Sequence, residues 1–223
     1  DLPSFMSEEA FNSLQSGMSV TERMTDSLVG TWATLLDVEV VGPIDEPSQL
    51  DLTPAGTASI EEFDEYTMHP GLECIPFTAP AAMLTPDFKS IEIEENVVVI
   101  RGEFDNVERR IYLNTVANPN DPPTLHGYSI GHWQDNVLMI ETMNFTEHRT
   151  GIGFGLASSS QKYLKEEFEL GEDGKSLIYR FDLRDPIYLA SPFAGEIQWA
   201  YEPDIAYSAQ ECDLENSRLF LDE

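Results

Sequence analysis

A histidine beside a glutamate on an enclosed face is a general acid–base pair, with the carboxylate orienting the ring. A tyrosine or an arginine on the same face can donate to a developing oxyanion. The stretch HGYSIGHWQDNVLMIETM, residues 126–143, brings these residue types together. Two-residue alternation runs on both sides of Asp135-Asn136, a dipeptide suited to a tight turn with positive φ. With that pair as the loop, Gln134 faces Val137, Trp133 faces Leu138, His132 faces Met139 and Ile130 faces Glu141. One face of the hairpin then carries His126, Tyr128, Ile130, His132, Met139, Glu141 and Met143. The other carries Gly127, Ser129, Gly131, Trp133, Leu138, Ile140 and Thr142. The first face, mixed in polarity, suits the lining of a ligand cavity. Arg110 and Tyr112 share one side of a preceding strand, and Arg109 points to the other.

Other chemistries fit less well. Gly127-Tyr128-Ser129-Ile130-Gly131 matches G-x-S-x-G, but a nucleophile elbow needs a strand, a sharp turn and a helix, and here the motif runs into a second strand. Gly151, Gly153 and Gly155 lack the strand–helix context of a phosphate loop and are expected to form a mobile loop. His126, His132, Glu141 and His148 have loose spacing for a metal site, so no metal is expected.

The elements that must position these residues are mostly strands. The first 29 residues read as short helices, with Ser19 and Glu22 forming a capping box. Strands are expected from Gly30 to Val41, over Ala58–Phe63, twice within Phe88–Arg101 around Glu94-Glu95-Asn96, and from Val107 to Asn114. After the 126–143 hairpin come a second hairpin, Gln161–Leu170 with Lys175–Leu183, and a strand from Gly195 to Tyr201. His69–Asp87 contains four prolines and reads as a long irregular loop over a cavity mouth. Nine or ten short strands without a βαβ rhythm indicate an antiparallel barrel or sandwich.

Composition narrows the partners. The chain has 223 residues, with 12 basic against 41 acidic and a formal charge of −29. Such a surface repels nucleic acid and anionic membranes. No apolar run is long enough for a membrane-spanning helix. Cys74 and Cys212 form either one disulfide closing a long loop or two buried thiols; the acidity and the non-methionine start favour the disulfide of an exported, processed protein. Asn144-Phe145-Thr146 is a glycosylation sequon.

Two resemblances add to this. Gly30-Thr31-Trp32 resembles the lipocalin G-x-W signature, in which the tryptophan plugs the closed end of the barrel and a basic residue covers it, here Arg218 as candidate. From Gly71 onward the chain resembles a group of uncharacterised exported bacterial proteins. That likeness rests on GLECIPF (71–77), RRIYLN (109–114), HGYSIGHWQDNVLMIETMNF (126–145) and YSAQECDLENSR (207–218). It implies an exported, lipocalin-like β-barrel that keeps both cysteines, and it implies no reaction.

The leading expectation is an all-β protein: a single antiparallel lipocalin-like barrel of about nine to ten strands over 30–223, with short helices in 1–29. It would bind a small apolar or aromatic molecule in its lumen, without cofactor or metal. His126, Tyr128, Ile130, Met139, Met143 and Trp32 would line the site. The rival is a cofactor-free lyase, isomerase or cyclase with His132 as acid or base, Glu141 orienting it, and Arg110 or Tyr112 stabilising negative charge. A third reading, an envelope protein meeting a cationic partner, rests on charge alone. The sequence is silent on oligomeric state. The lumen assignment requires His132, and not Trp133, to point inward.

Overall fold

A computed structural model describes residues 27–35, 50–103, 107–116, 121–153 and 155–219. Its centre is a closed barrel of nine strands. In chain order the strands of the whole fold are β1 (Gly30–Thr34), β2 (Phe88–Glu94), β3 (Val97–Gly102), β4 (Glu108–Leu113), β5 (Tyr128–Gln134), β6 (Val137–Met143), β7 (His148–Gly153), β8 (Leu156–Ser158), β9 (Tyr163–Leu170), β10 (Ser176–Arg184) and β11 (Phe193–Tyr201). Around the ring the order is β1-β11-β10-β9-β6-β5-β4-β3-β2, and β7 and β8 form a separate two-stranded sheet.

The 126–143 hairpin has the expected register: Gln134 opposes Val137, Trp133 Leu138, His132 Met139 and Ile130 Glu141. Asp135 has a φ of 56°, as its place in the turn requires. The β2–β3 and β9–β10 hairpins also form where expected.

The expectation of a purely antiparallel barrel is overturned at one pair. β4 and β5 run parallel, and geometry explains why. Neighbouring strands that all alternate in direction can close a ring only if their number is even. Nine strands therefore need at least one parallel pair. A parallel pair in turn needs a long crossover, and the chain between Leu113 at the end of β4 and Tyr128 at the start of β5 is long enough for one.

Strand directions sort the connections. The tight turns around 95–96, 135–136 and 171–175 lie at one end of the barrel. The long excursions, 50–87 and 144–162, lie at the other, together with 185–192. That end is capped by α1 (Pro54–Glu61), α2 (Glu65–Met68), a 3-10 turn (Pro70–Glu73), α3 (Ala81–Leu84) and the β7–β8 sheet. A strand expected over Ala58–Phe63 is thus corrected to helix. Thr53 caps it, accepting from Gly56 N at 3.0 Å, and Pro54 follows with a φ already suited to the first turn. The Pro-rich stretch is partly ordered by its 3-10 turn and α3. The glycines expected to form a mobile loop sit in β7 and its turn; at Gly151 an added Cβ would come within 2.0 Å of Ser158 Oγ. The helical segment expected within residues 1–29 and the β1 extension to Val41 lie almost wholly outside the described residues.

The chain after β11 returns to the capped end. Tyr207 Oη donates to Gly102 O at 2.8 Å, Gln210 N to Glu103 O at 2.7 Å, and Cys212 is bonded to Cys74. A short helix, α4 (Leu214–Ser217), follows. Arg218 donates to Leu72 O and pairs with Glu73. It does not take the expected place over Trp32, whose register neighbours are Lys89 and Tyr201. Among the described residues no helix is long and apolar enough to cross a membrane.

The barrel interior is filled. Trp32, Trp199, Tyr179 and Phe168 are fully buried, and the Phe168 ring lies 4.9 Å from Tyr179 and 5.6 Å from Trp199. Among these rings sits an ion pair. Arg109 Nη1 and Nη2 donate to the two oxygens of Glu166 at 2.7 Å each, and Tyr179 Oη donates to Glu166 Oε1 at 2.8 Å. Glu166→Gln leaves the Arg109 charge buried and unpaired. It is expected to lower the unfolding free energy by about 3–5 kcal/mol in denaturant titration, and Tyr179→Phe by about 1–3 kcal/mol. Cys212→Ser opens a loop of sequence separation 138 and is expected to cost roughly 2–5 kcal/mol by the same measurement.

Candidate functional site

The structure places the sequence-derived site residues mostly outside the barrel. Trp133, Leu138, Ile140, Ser129 and Thr142 point inward and are buried, Trp133 being 7% exposed. Tyr128, Ile130, His132, Met139, Glu141 and Met143 therefore occupy the outer face. The lumen assignment of His132 is overturned by this. The physical reason is space: a narrow barrel packed with side chains selects the more apolar face, and Gly131 admits Ile111 and Leu113 where a Cβ would lie 2.8 Å from Ile111 Cγ2.

The outer residues do come together. Tyr112, Ile130, Glu141 and Lys165 form one row across four strands. Tyr112 stacks on Tyr128 with centroids 5.0 Å apart. Glu141 lies 3.8 Å from Lys165. Burial pulls the half-buried His132 below the usual histidine range, and the Glu141 carboxylate opposes that. Arg110 is not free to serve them, since Glu94 and Glu108 hold it. Its neighbour Arg109 is the inward arginine. Trp32 is part of the packed interior, with its indole N–H donating to Leu28 O at 2.9 Å.

His126 is the exception. It sits at the capped end, where burial and the nearby charges of Arg109, Lys162 and His148 pull it down to about 4. His148 is pulled to about 4 by burial and by Lys162. Its Nδ1 accepts from Thr150 N at 3.1 Å, so Nε2 carries the proton and donates to Pro76 O at 3.1 Å. Lys162 is fully buried, and burial lowers its pKa to about 7. Its Nζ donates to Thr78 Oγ1, Ala79 O and Gly151 O at 2.7, 2.9 and 2.9 Å, and lies 4.2 Å from the Phe145 ring centroid. All three ammonium hydrogens are spent. Lys162 thus pins the 78–79 segment to β7.

Directly beside that pinned layer are two cavities. The larger, about 460 Å³, is lined by Phe63, Glu65, His69, Phe77, Thr150 and Gly155. The smaller, about 180 Å³, is lined by Phe77, Ala81, Leu84, Thr85, Ile152, Gly153 and Phe193. Phe77 belongs to both. Each wall residue has a local cause. Ser59 of α1 accepts from Ala157 N at 3.1 Å and from Arg149 Nη1 at 3.1 Å, which ties the helix to β7 and β8 and delivers Phe63. Gly155 leaves room for that ring; a Cβ there would lie 2.4 Å from Phe63 Cδ1. Asp64 caps α2, and so places Glu65, by accepting from Tyr66 N at 2.9 Å. His69 Nδ1 accepts from Gly71 N at 3.0 Å, and its ring meets Phe77 edge-on at 5.6 Å. Thr150 brings a buried hydroxyl that has no hydrogen-bond partner among the described residues.

Sequence reasoning missed these residues because they come from three segments read as loop or strand. Some signals were present. Glu166 is in phase with Leu164 and Phe168, an acidic residue at an apolar position of an alternating strand. The pairing of His69 with Phe77 had no signal, since it depends on how the 3-10 turn folds back. No known protein family and no curated protein sequence matches the chain.

The two low histidines set a pH dependence. Their folded pKa values, about 4, lie below the ordinary value of 6.5. Between those values the unfolded chain binds more protons, so stability is lost as pH falls from about 6.5 to about 4. Denaturant titrations over this interval are expected to show the loss, and a His148→Asn variant, which cannot titrate there, to show a loss smaller by a value on the order of 3 kcal/mol.

Proposed function

We propose that this is an exported protein that binds a small, mostly apolar molecule, and that the molecule sits in the two adjoining cavities at the capped end and not among the packed side chains of the lumen. The observation that carries this reading is the cavity of about 460 Å³ with two aromatic rings, a histidine and a buried threonine hydroxyl, unpartnered among the described residues, in its wall. Its size falls within the range of small-molecule sites, and a few polar groups in an aromatic wall fix a ligand's orientation. The adjoining apolar cavity of about 180 Å³ offers room for a hydrocarbon tail. The disulfide supports an oxidising compartment for the protein. The resemblance to exported lipocalin-like proteins agrees with this compartment.

A cofactor-free lyase, isomerase or cyclase is the second reading. The observation in its favour is that His132 and Glu141 are diagonal neighbours on one face. Arg110 contributes less to it than expected, being held by two glutamates.

Native mass spectrometry after exposure to a metabolite extract separates the readings. A binder of the capped end retains a molecule of unchanged mass in the wild type and in His132→Ala, and loses it at least about tenfold in Phe77→Ala, the expected effect of removing an aromatic ring against which the ligand is buried. An enzyme acting through His132 instead converts a compound, with turnover falling about 10²–10⁴-fold in His132→Ala. Retention that survives Phe77→Ala overturns the cavity reading.

A further inference from the structure

The larger cavity has an electrostatic character that narrows its ligand. Of its six lining residues, Glu65 and His69 are ionisable. His69 Nδ1 is engaged as the acceptor of the Gly71 N–H. Glu65 supplies the one carboxylate among the lining residues, and among the described residues no cation is paired with it. The remaining wall is aromatic. Phe63 and Phe77 present π systems whose faces carry negative potential, and His69 adds a third ring. Aromatic rings around a carboxylate form the kind of cage that holds an alkylammonium group.

One cation already shows this attraction. Arg149 stands over the Phe63 ring, 5.0 Å from its centroid. Its Nη1 and Nη2 donate to Ser59, Gly155 and Met68, which fixes the guanidinium there with its positive charge; it is not among the residues that line the cavity. With one face of Phe63 taken, Phe77 and His69 are the rings left to meet the ligand. The chain as a whole carries a formal charge of −29, which draws cations towards any opening and repels carboxylates.

We infer that the cavity at the capped end takes an organic cation: an ammonium group between Phe77, His69 and Glu65, with an aromatic or aliphatic body extending past Phe77 into the smaller cavity. This rests on the binding reading above and adds the ligand's chemical class to it.

Benzyltrimethylammonium, benzyl alcohol and phenylacetate share a ring and differ in charge. Isothermal titration with each, on wild type, Glu65→Gln and Phe77→Ala, tests the inference. The expected result is that the cation binds at least about tenfold more tightly than phenylacetate, that Glu65→Gln narrows this preference, and that Phe77→Ala weakens all three. Equal affinity for cation and anion, or a preference unchanged in Glu65→Gln, overturns the cation assignment while the cavity stands, provided Phe77→Ala still weakens binding. Binding of none of the three, or binding indifferent to Phe77→Ala, overturns both. Because Glu65 is exposed on a short helix, its substitution leaves the fold intact, and a thermal melt of the variant checks this.

Discussion

An odd number of strands cannot close a ring in strict alternation, and much of this molecule follows from that. The parallel contact between β4 and β5 is the necessary exception, and it sets the route of the chain. The chain leaves β4 at one end of the barrel and enters β5 from the other, which puts His126 at the capped end. The hairpins at 95–96, 135–136 and 171–175 use tight turns, all at the opposite end. The crowding of helices, the second sheet and the C-terminal tail at one end is the counterpart of that economy at the other.

The closed ring leaves little room inside, and its filling decides where a ligand can go. Trp32, Trp199, Tyr179 and Phe168 occupy the lumen around a carboxylate–guanidinium pair. Burying that pair is tolerable because it is bidentate, and because Tyr179, Ser129 and Thr142 add hydrogen-bonding partners around it. Such a core is a rigid floor. The cavities lie above it, between elements that are held by side chain-to-backbone bonds more than by ladders: Lys162 to Ala79 and Gly151, Arg149 to Ser59 and Gly155, His148 to Pro76.

The strands and their registers were legible in the sequence because period-two alternation and turn dipeptides are local signals. The Asp135-Asn136 hairpin illustrates this: each expected cross-strand pair is present. Which face of that hairpin turns inward was not legible from the hairpin alone. Both faces alternate cleanly, and the choice depends on the volume enclosed by strands far away in sequence. Preferring the mixed face presumed an open lumen. The same non-local question made Arg110 look like the inward arginine when Arg109 is. The helix at Pro54–Glu61 was legible in principle, from Thr53 and Pro54, but its apolar residues lie too close together to separate helix from strand by period. The cavity residues Phe63, His69 and Phe77 were beyond reach, since the packing of three irregular segments brings them together.

The bond between Cys74 and Cys212 changes how the molecule carries load. Residues 202–211 leave β11, the strand that closes the ring against β1, and run to Cys212. A pull applied beyond Cys212 is handed to Cys74, ahead of β2, and bypasses that run of chain. β11 is thereby spared tension, and its ladders with β1 and β10 do not feel it directly. The barrel's closing seam is mechanically isolated from its own C-terminus, and the 3-10 turn beside the cavity is the point at which force would enter.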